Sequence, residues 1–334
     1  MTTSRASRQH ALQHWLSTHT SVASETLTAL GGDASFRRYY RFQAQQQSWL
    51  VMDAPPEHED LARFLDRAQL FAHLQVPVPR CYEFDLQQGF LLLEDFGQHS
   101  LESVLTAANA DTWYARAMRQ LLDWQQQTLA QPLSVPDYDE ALLQRELDLF
   151  EQWFIRRHLR LDEPVPGFAE VCAKLIEAAL AQPKVLVHRD YHCRNLMVVG
   201  SQLGVIDFQD AVTGPVTYDL VSLLRDCYQH WPDSAVDTWL ERYYQQALGL
   251  GLVDCDRACF RQWFDWMGLQ RQLKVLGIFA RLYWRDDKPG YLAVLPHVLD
   301  SVCRVCACYP QWASFYEFLE YKVRPALAQA RVEP

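Results

Sequence analysis

Near Gly97 the apolar residues pass from mostly short strand-like runs to mostly long helical repeats, and that change outlines the architecture. Leu12, Trp15 and Leu16 fall on one side of a helical wheel, so a short amphipathic helix is predicted near 9–17. The stretch LGGDASFRRYYRFQ sets a glycine pair ahead of aromatic and β-favouring residues, which predicts a strand, a tight turn and a second strand. A third strand is predicted in SWLVMDA at 48–54, ended by Pro55 and Pro56. From Glu57 to Leu74 the apolar positions Leu61, Phe64, Leu65, Leu70, Phe71 and Leu74 recur at threes and fours, the signature of a helix. Two more strands, at 80–85 and 89–97, complete a small, mostly antiparallel sheet. Beyond Gly97 helical patterns occupy 111–131, 138–160 and 168–182, give way to apolar runs at 184–190 and 196–208, and return from about 219 to the end. The expected class is α+β, with a small sheet lobe over 1–96, a hinge strand near 94–97 and a large helical lobe over 97–334.

Composition bounds the function more than the fold. The chain has 334 residues, 49% hydrophobic and 22% charged, which is ordinary for a globular protein. Its formal net charge of −10 argues against nucleic acid as a partner, because neutralising phosphates needs a basic face. The opening MTTSRASRQHALQHWLSTHT has no long apolar run, so no signal peptide is expected, and no stretch approaches the roughly 18 apolar residues of a membrane span. Nine scattered cysteines fit a reducing cytoplasm, and Cys303, Cys306 and Cys308 lie in an apolar, helix-compatible segment without a second ligand pair, which points to core packing rather than zinc.

The chemistry is carried by VLVHRDYHCRNLMVVGSQLGVIDFQDAVTGPVTYDL, residues 185–220. An apolar strand delivers His-Arg-Asp, Asn195 follows Asp190 by five residues, and a second apolar strand delivers Asp207 twelve residues later. A single Asp or Asn after a strand is usually a turn former, but H-R-D-x-x-x-x-N followed by a strand-borne I-D-F is a specific signature of phosphoryl transfer. That reaction asks for one carboxylate to meet the attacking hydroxyl and for hard oxygen ligands to hold magnesium against the phosphates. Asp190 is therefore read as the base, with Asn195 and Asp207 as the Mg2+ ligands. Asp210 could reach the metal through water or sit in a solvated turn. Only eleven residues separate Asp207 from Asp219, too few for a regulatory activation loop.

These motifs resemble the aminoglycoside phosphotransferase family, which shares the two-lobed protein-kinase-like fold, over about 25–325 of the chain. More narrowly, GGDASFRRYYRF, YHCRN and QLKVLGIFARLYWRDDKPGYL resemble bacterial cell-wall-recycling sugar kinases, which phosphorylate the anomeric hydroxyl of N-acetylmuramate and N-acetylglucosamine. The resemblance implies ATP and Mg2+ as cofactors, an amino sugar as acceptor, a cytoplasmic enzyme and a monomer without nucleic-acid or membrane partners. It implies that His188 and Asp219 steady the catalytic loop, Asp219 also capping a helix. It places His192, and with it Arg194, near the transferred phosphate, with solvent exposure an equal reading for Arg194. It marks Glu94–Phe96 in LLLEDFG as the adenine-binding hinge, so Glu94 and Phe96 count as nucleotide residues.

Gly31, Gly32, Ser35 and Phe36 belong to the segment where backbone amides would meet phosphate, although GxGxxG is absent. The lysine that kinases carry on the third strand is also missing, Met52 or Asp53 standing near its place. Among Arg37, Arg38 and Arg41, either Arg37 or Arg41 is expected to supply that cation; the alternative is that all three are surface arginines. On the acceptor side Arg271, Lys274 and Arg281 share one helical face, suited to an anionic sugar or, alternatively, to exposed pairing. Two rival functions follow from the same residues: a kinase of an aminoglycoside, choline or other cationic alcohol, and an inactive nucleotide-binding scaffold.

Overall fold

A computed structural model describes residues 5–22, 26–31 and 36–330. In chain order its elements begin with α1 (Arg5–His19), β1 (Thr28–Ala29), β2 (Arg38–Ala44), β3 (Gln47–Asp53), α2 (Leu61–His73), β4 (Cys81–Asp85), β5 (Phe90–Glu94) and α3 (Leu101–Val104). There follow α4 (Ala110–Thr128), α5 (Glu140–Leu149), a π-helical continuation (Phe150–His158), α6 (Phe168–Leu180), β6 (Lys184–Val187), β7 (Leu196–Val199), β8 (Gln202–Val205) and β9 (Val212–Pro215). Helices α7 (Tyr218–Leu224), α8 (Asp233–Gly249), α9 (Arg257–Asp286) and α10 (Leu295–Ala307) lead to shorter turns at the end. The chain packs as two compact units: residues up to 106 together with 194–210, and 107–193 together with residues from 211 on.

The first unit is built on an antiparallel sheet in the order β1-β2-β3-β5-β4. Strand side chains alternate between faces. One face therefore carries Tyr40, Phe42, Trp49, Val51, Phe90 and Leu92, which form a core with Leu12, Trp15 and Leu16 of α1. Asp60 caps α2 by accepting the Arg63 amide at 3.0 Å, and the helix buries Leu61, Phe64, Ala68 and Phe71. The hairpin β7–β8 turns at Gly200, whose φ of +61° suits glycine, and belongs to this unit because Val198 N–H donates to His99 O and Val205 N–H to Pro77 O. The rings of Phe64 and Phe71 lie 5.0 and 5.9 Å from Phe208. The expected boundary after 96 thus differs from the packing: the first unit runs on to Thr106 and takes in the hairpin and Asp207, which pairing and ring contacts hold there.

The second unit is helical around α9, thirty residues long and buried continuously from Phe264 to Gly277. A helix buried on every side needs neighbours all round it. Gly277 permits one of them, since a Cβ there would stand 2.3 Å from the Leu149 backbone carbon. The π-helical stretch begins one residue further on, at Phe150. The predicted 138–160 helix is therefore α in its first half and π in its second. A strand not expected from the sequence, β9, pairs antiparallel with β6 and closes the base of the catalytic loop. Cys303 and Cys306 are buried in α10, as packing predicts, whereas Cys308 is exposed beyond its end. Among the described residues no helix is long and apolar enough to cross a membrane, and no group of three His, Cys, Asp or Glu stands ready to hold a metal.

Candidate active site

Strand β6 delivers His188, Arg189 and Asp190 in the second unit. Helix α4 anchors the strand: Thr128 Oγ1 accepts the Leu186 amide at 3.0 Å, and Trp124 Nε1 donates to Leu186 O at 3.2 Å. Arg189 then turns with φ +79°, a left-handed conformation costly for a side-chain-bearing residue. The turn is held from below by fully buried Asp219, whose two oxygens accept the amides of His188 at 2.7 Å and Arg189 at 3.0 Å. Burial pushes the Asp219 carboxyl up to about 7 against the pull of those two amides, with the nearby Asp190 charge adding to the rise. Asp219 serves the loop rather than its own helix, for Thr217 is the N-cap residue of α7 and makes no side-chain capping bond. Fully buried His188 accepts the Asp190 amide on Nδ1 at 3.2 Å. Downstream, Asp226 accepts the amides of Cys193 at 3.2 Å and Tyr228 at 2.9 Å, so the loop is braced at both ends.

Asp190 keeps 44% of its side-chain surface open although the loop is set deep. Arg271 Nη2 stands 3.7 Å from its Oδ1, and this guanidinium is itself 6% exposed. Burial raises the Asp190 carboxyl, but Lys274, His192, Arg271 and Arg189 outweigh it and bring it down to about 2. His192 is 8% exposed, its Nδ1 meets no hydrogen-bond partner, and its ring lies edge-on to Tyr228 at 5.4 Å. The expected basic trio separates. Arg271 stands against Asp190 and the charge of Lys274 reaches it, whereas Arg281 sits about two turns beyond Lys274 on α9 beside Arg285 and Asp286, because seven residues advance the helix by nearly two turns.

The first unit lines an open cavity of about 490 Å³ whose wall includes Asn195, Asp207, Asp210, Gly31, Arg37 and residues 94–97, the expected hinge. Strand β8 leads to Asp207, which has φ +64° and a 44% exposed side chain. Gln209 Nε2 donates to its Oδ1 at 2.9 Å. An amide oxygen and an open carboxylate are hard donors, and with room left for water they fit a magnesium ion. Asp210, 47% exposed, is paired with Arg63 at 2.7 Å.

The three arginines resolve into different tasks. Arg41 makes a two-point ion pair with Asp95, at 2.6 and 2.8 Å, and donates to Gly97 O at 2.7 Å, so it braces the hinge. Arg38 turns to Asp53 at 3.4 Å. Arg37, only 10% exposed, lies 3.5 Å from both Glu59 and Asp207, and beside it burial pushes the Tyr39 phenol up to about 12. The surface-arginine alternative does not hold for Arg37 or Arg41. At the lysine's expected place Met52 and Asp53 are both buried, and Asp53 is held by Arg8 at 2.5 Å. At the hinge, Glu94 N–H donates to Arg80 O at 2.9 Å, and Phe96 packs on Gly204 so closely that a Cβ there would come within 2.4 Å of its ring. Phe36 is 57% exposed, stacks on His58 at 4.2 Å, and donates its amide to Glu59 at 3.0 Å. Gly32 and Ser35 lie outside the described residues. Arg194, expected near phosphate or in solvent, is turned to Glu102 at 3.0 Å.

Sequence reasoning missed the group beneath Asp190. Glu146, 4% exposed, accepts Lys274 Nζ at 2.9 Å, Arg189 Nη2 at 2.5 Å and the Tyr138 hydroxyl. Nothing local in the sequence announced which residues it meets.

The two-unit fold with an H-R-D loop and a strand-borne Asp defines a protein of the protein-kinase-like class. Residues 26–260 match the phosphotransferase enzyme family APH, and the chain belongs to that family. It is 44% identical over 302 residues to the N-acetylmuramate/N-acetylglucosamine kinase of Pseudomonas putida, covering 89% of this chain and 88% of that one. The enzyme of the same name from Neisseria meningitidis is 37% identical over 321 residues, covering 93% and 95%. Among solved structures, the choline kinase LicA of Streptococcus pneumoniae superposes with a TM-score of 0.62 at 13% identity over 89% of this chain and 99% of that one, a likeness of fold.

Proposed function

We propose that this protein transfers the γ-phosphate of ATP to the anomeric hydroxyl of an N-acetylated amino sugar, N-acetylmuramate or N-acetylglucosamine, in the cytoplasmic recycling of cell-wall fragments. The relatives at 37–44% identity carry those two sugars in their names. The observation that carries the reading is the charge around Asp190: an open carboxylate with Arg271 and Lys274 of one helix beside it. Such a setting favours an acceptor that is neutral or anionic and repels a cationic alcohol, so a choline or aminoglycoside substrate is disfavoured.

Asp190 would accept the hydrogen bond, and in the transition state the proton, of the acceptor hydroxyl. As a weak base it matches a hemiacetal hydroxyl, a stronger acid than an ordinary alcohol. Because the transition state of phosphoryl transfer is loose, orientation counts for more than basicity. Arg271 and Lys274 would bind the sugar's carboxylate when it has one. Asn195 and Asp207 would hold Mg2+, which neutralises charge on the transferring phosphate when bound. Arg37 would replace the missing strand lysine, its pairing with Glu59 mirroring the lysine–glutamate pair of other kinases. Glu94–Phe96 would present backbone groups to adenine.

A coupled ADP-release assay with N-acetylmuramate, N-acetylglucosamine, choline and kanamycin tests the proposal. Turnover with the two sugars is expected. Turnover with choline or kanamycin alone would replace the substrate class, and turnover with none would leave the scaffold reading.

A further inference from the structure

The reading above gives Glu146 no part in phosphate transfer, yet it is the most heavily engaged carboxylate near Asp190. It projects from α5 and receives donors from three other places: Lys274 Nζ at 2.9 Å and Gln270 Nε2 at 3.2 Å from α9, Arg189 Nη2 at 2.5 Å from the catalytic loop, and the Tyr138 hydroxyl. Lys274 is 10% exposed, and its ammonium also donates to Tyr218 Oη at 3.1 Å. Every group in this cluster lies in the second unit.

Two cations on one buried carboxylate leave an excess positive charge. For stability alone this is a poor arrangement, since desolvating ions costs several kcal/mol each and apolar residues of equal volume do as well or better. The excess charge lies beside Asp190: Glu146 Oε1 takes both Lys274 Nζ and the guanidinium of Arg189, the residue before Asp190, and Arg271, one turn before Lys274 on α9, stands 3.7 Å from Asp190 Oδ1. Lysine is a flexible four-carbon chain ending in a point charge, so its position depends on what holds its ammonium. Two of its three donors are tied down by Glu146 and Tyr218.

We infer that Glu146 is a positioning residue of the acceptor site: it fixes the Lys274 ammonium beside Asp190, and through that cation it sets how Asp190 meets the acceptor hydroxyl. Glu146 touches neither substrate. The inference rests on Asp190 being the acceptor's base.

A double-mutant cycle on the full chain tests it, read as kcat, KM for ATP and the thermal midpoint. Glu146→Gln should lower kcat about ten-fold while KM for ATP stays within about two-fold. In the Lys274→Met background the same substitution should change kcat by less than about three-fold, since the cation it positions is gone. The double variant lacks the ammonium that Glu146→Gln strips of its carboxylate, so its midpoint should lie above that of Glu146→Gln alone. A kcat that recovers together with the midpoint would mark Glu146 as structural and overturn the inference. Equal losses in both backgrounds, or no loss in the first, would overturn it too. Should Glu146→Gln not fold, Glu146→Asp, which keeps the charge but withdraws it by one methylene, takes its place in the same cycle. Asp190→Asn separates this inference from its premise. If it abolishes turnover and the Glu146 cycle is flat, the positioning role alone falls; if turnover survives Asp190→Asn, the premise falls with it.

Discussion

A carboxylate set among Arg271, Lys274, Arg189 and His192 stays ionised as the pH falls. Asp190 is brought from 3.8 to about 2, so its base form persists at every pH above that value, and any stability it lends is lost only on acidification through it. The pH profile of kcat/KM should accordingly show no acid limb from this residue between about pH 5 and pH 8. Lys274→Met, which removes the first of the depressing charges, should shift the Asp190 ionisation upward. A wild-type acid limb in that range that moves to higher pH in Lys274→Met would contradict this. On the nucleotide side, Arg37→Met should raise KM for ATP about ten-fold or more, Arg37→Lys should raise it less, and Arg38→Gln should leave it nearly unchanged. Titration of initial rate against ATP checks all three. Asp190, Asn195 and Asp207 could be singled out as candidates because they stand at fixed short spacing on one loop and the strand that follows it. Glu146 could not, since its partner Gln270 lies 124 positions away. The arginines were only half legible: their alternation gave three similar candidates, and side-chain partners rather than sequence separated them.

At the scale of elements, close approaches through glycine set where helices and strands meet. Gly277→Ala would force a methyl group against Leu149 backbone that cannot yield as a side-chain tip would. A loss of roughly 1–3 kcal/mol in urea unfolding is expected. Gly249→Ala, at the end of α8 with nothing within 4 Å, is the control and should be neutral or stabilise by about 0.5–1 kcal/mol. Strand and helix periodicity revealed most of these elements. It could not reveal β9, whose Val-Thr-Gly-Pro reads as a turn until β6 is beside it. Nor could it reveal that the helix begun at Glu140 widens to a π register at Phe150, because the buried Phe150, Phe154, Ile155 and His158 recur at threes and fours as in an α-helix. The brace of Arg41 on Asp95 joins β2 to the hinge across 54 positions and likewise left no local trace.

Over the whole molecule, an acidic chain of net charge −10 keeps several of its cations inside, at Arg37, Arg189, Arg271 and Lys274, where phosphate or an anionic acceptor would meet them. Ligands that bind only the folded state stabilise it by mass action, by about 2.7 kcal/mol at a hundred times the dissociation constant. ADP with magnesium should therefore raise the thermal midpoint more than ADP alone. Asp207→Asn should erase the magnesium-dependent part and keep the remainder, whereas a metal effect that survives Asp207→Asn would remove this residue from the site. The central claim is more specific, that phosphate goes to the anomeric position of an amino sugar. Phosphorus-coupled proton NMR of the product formed from N-acetylmuramate and ATP tests it most directly. The expected spectrum shows the C1 proton coupled to phosphorus and no free reducing end; an uncoupled C1 proton with phosphate at another hydroxyl would contradict the account.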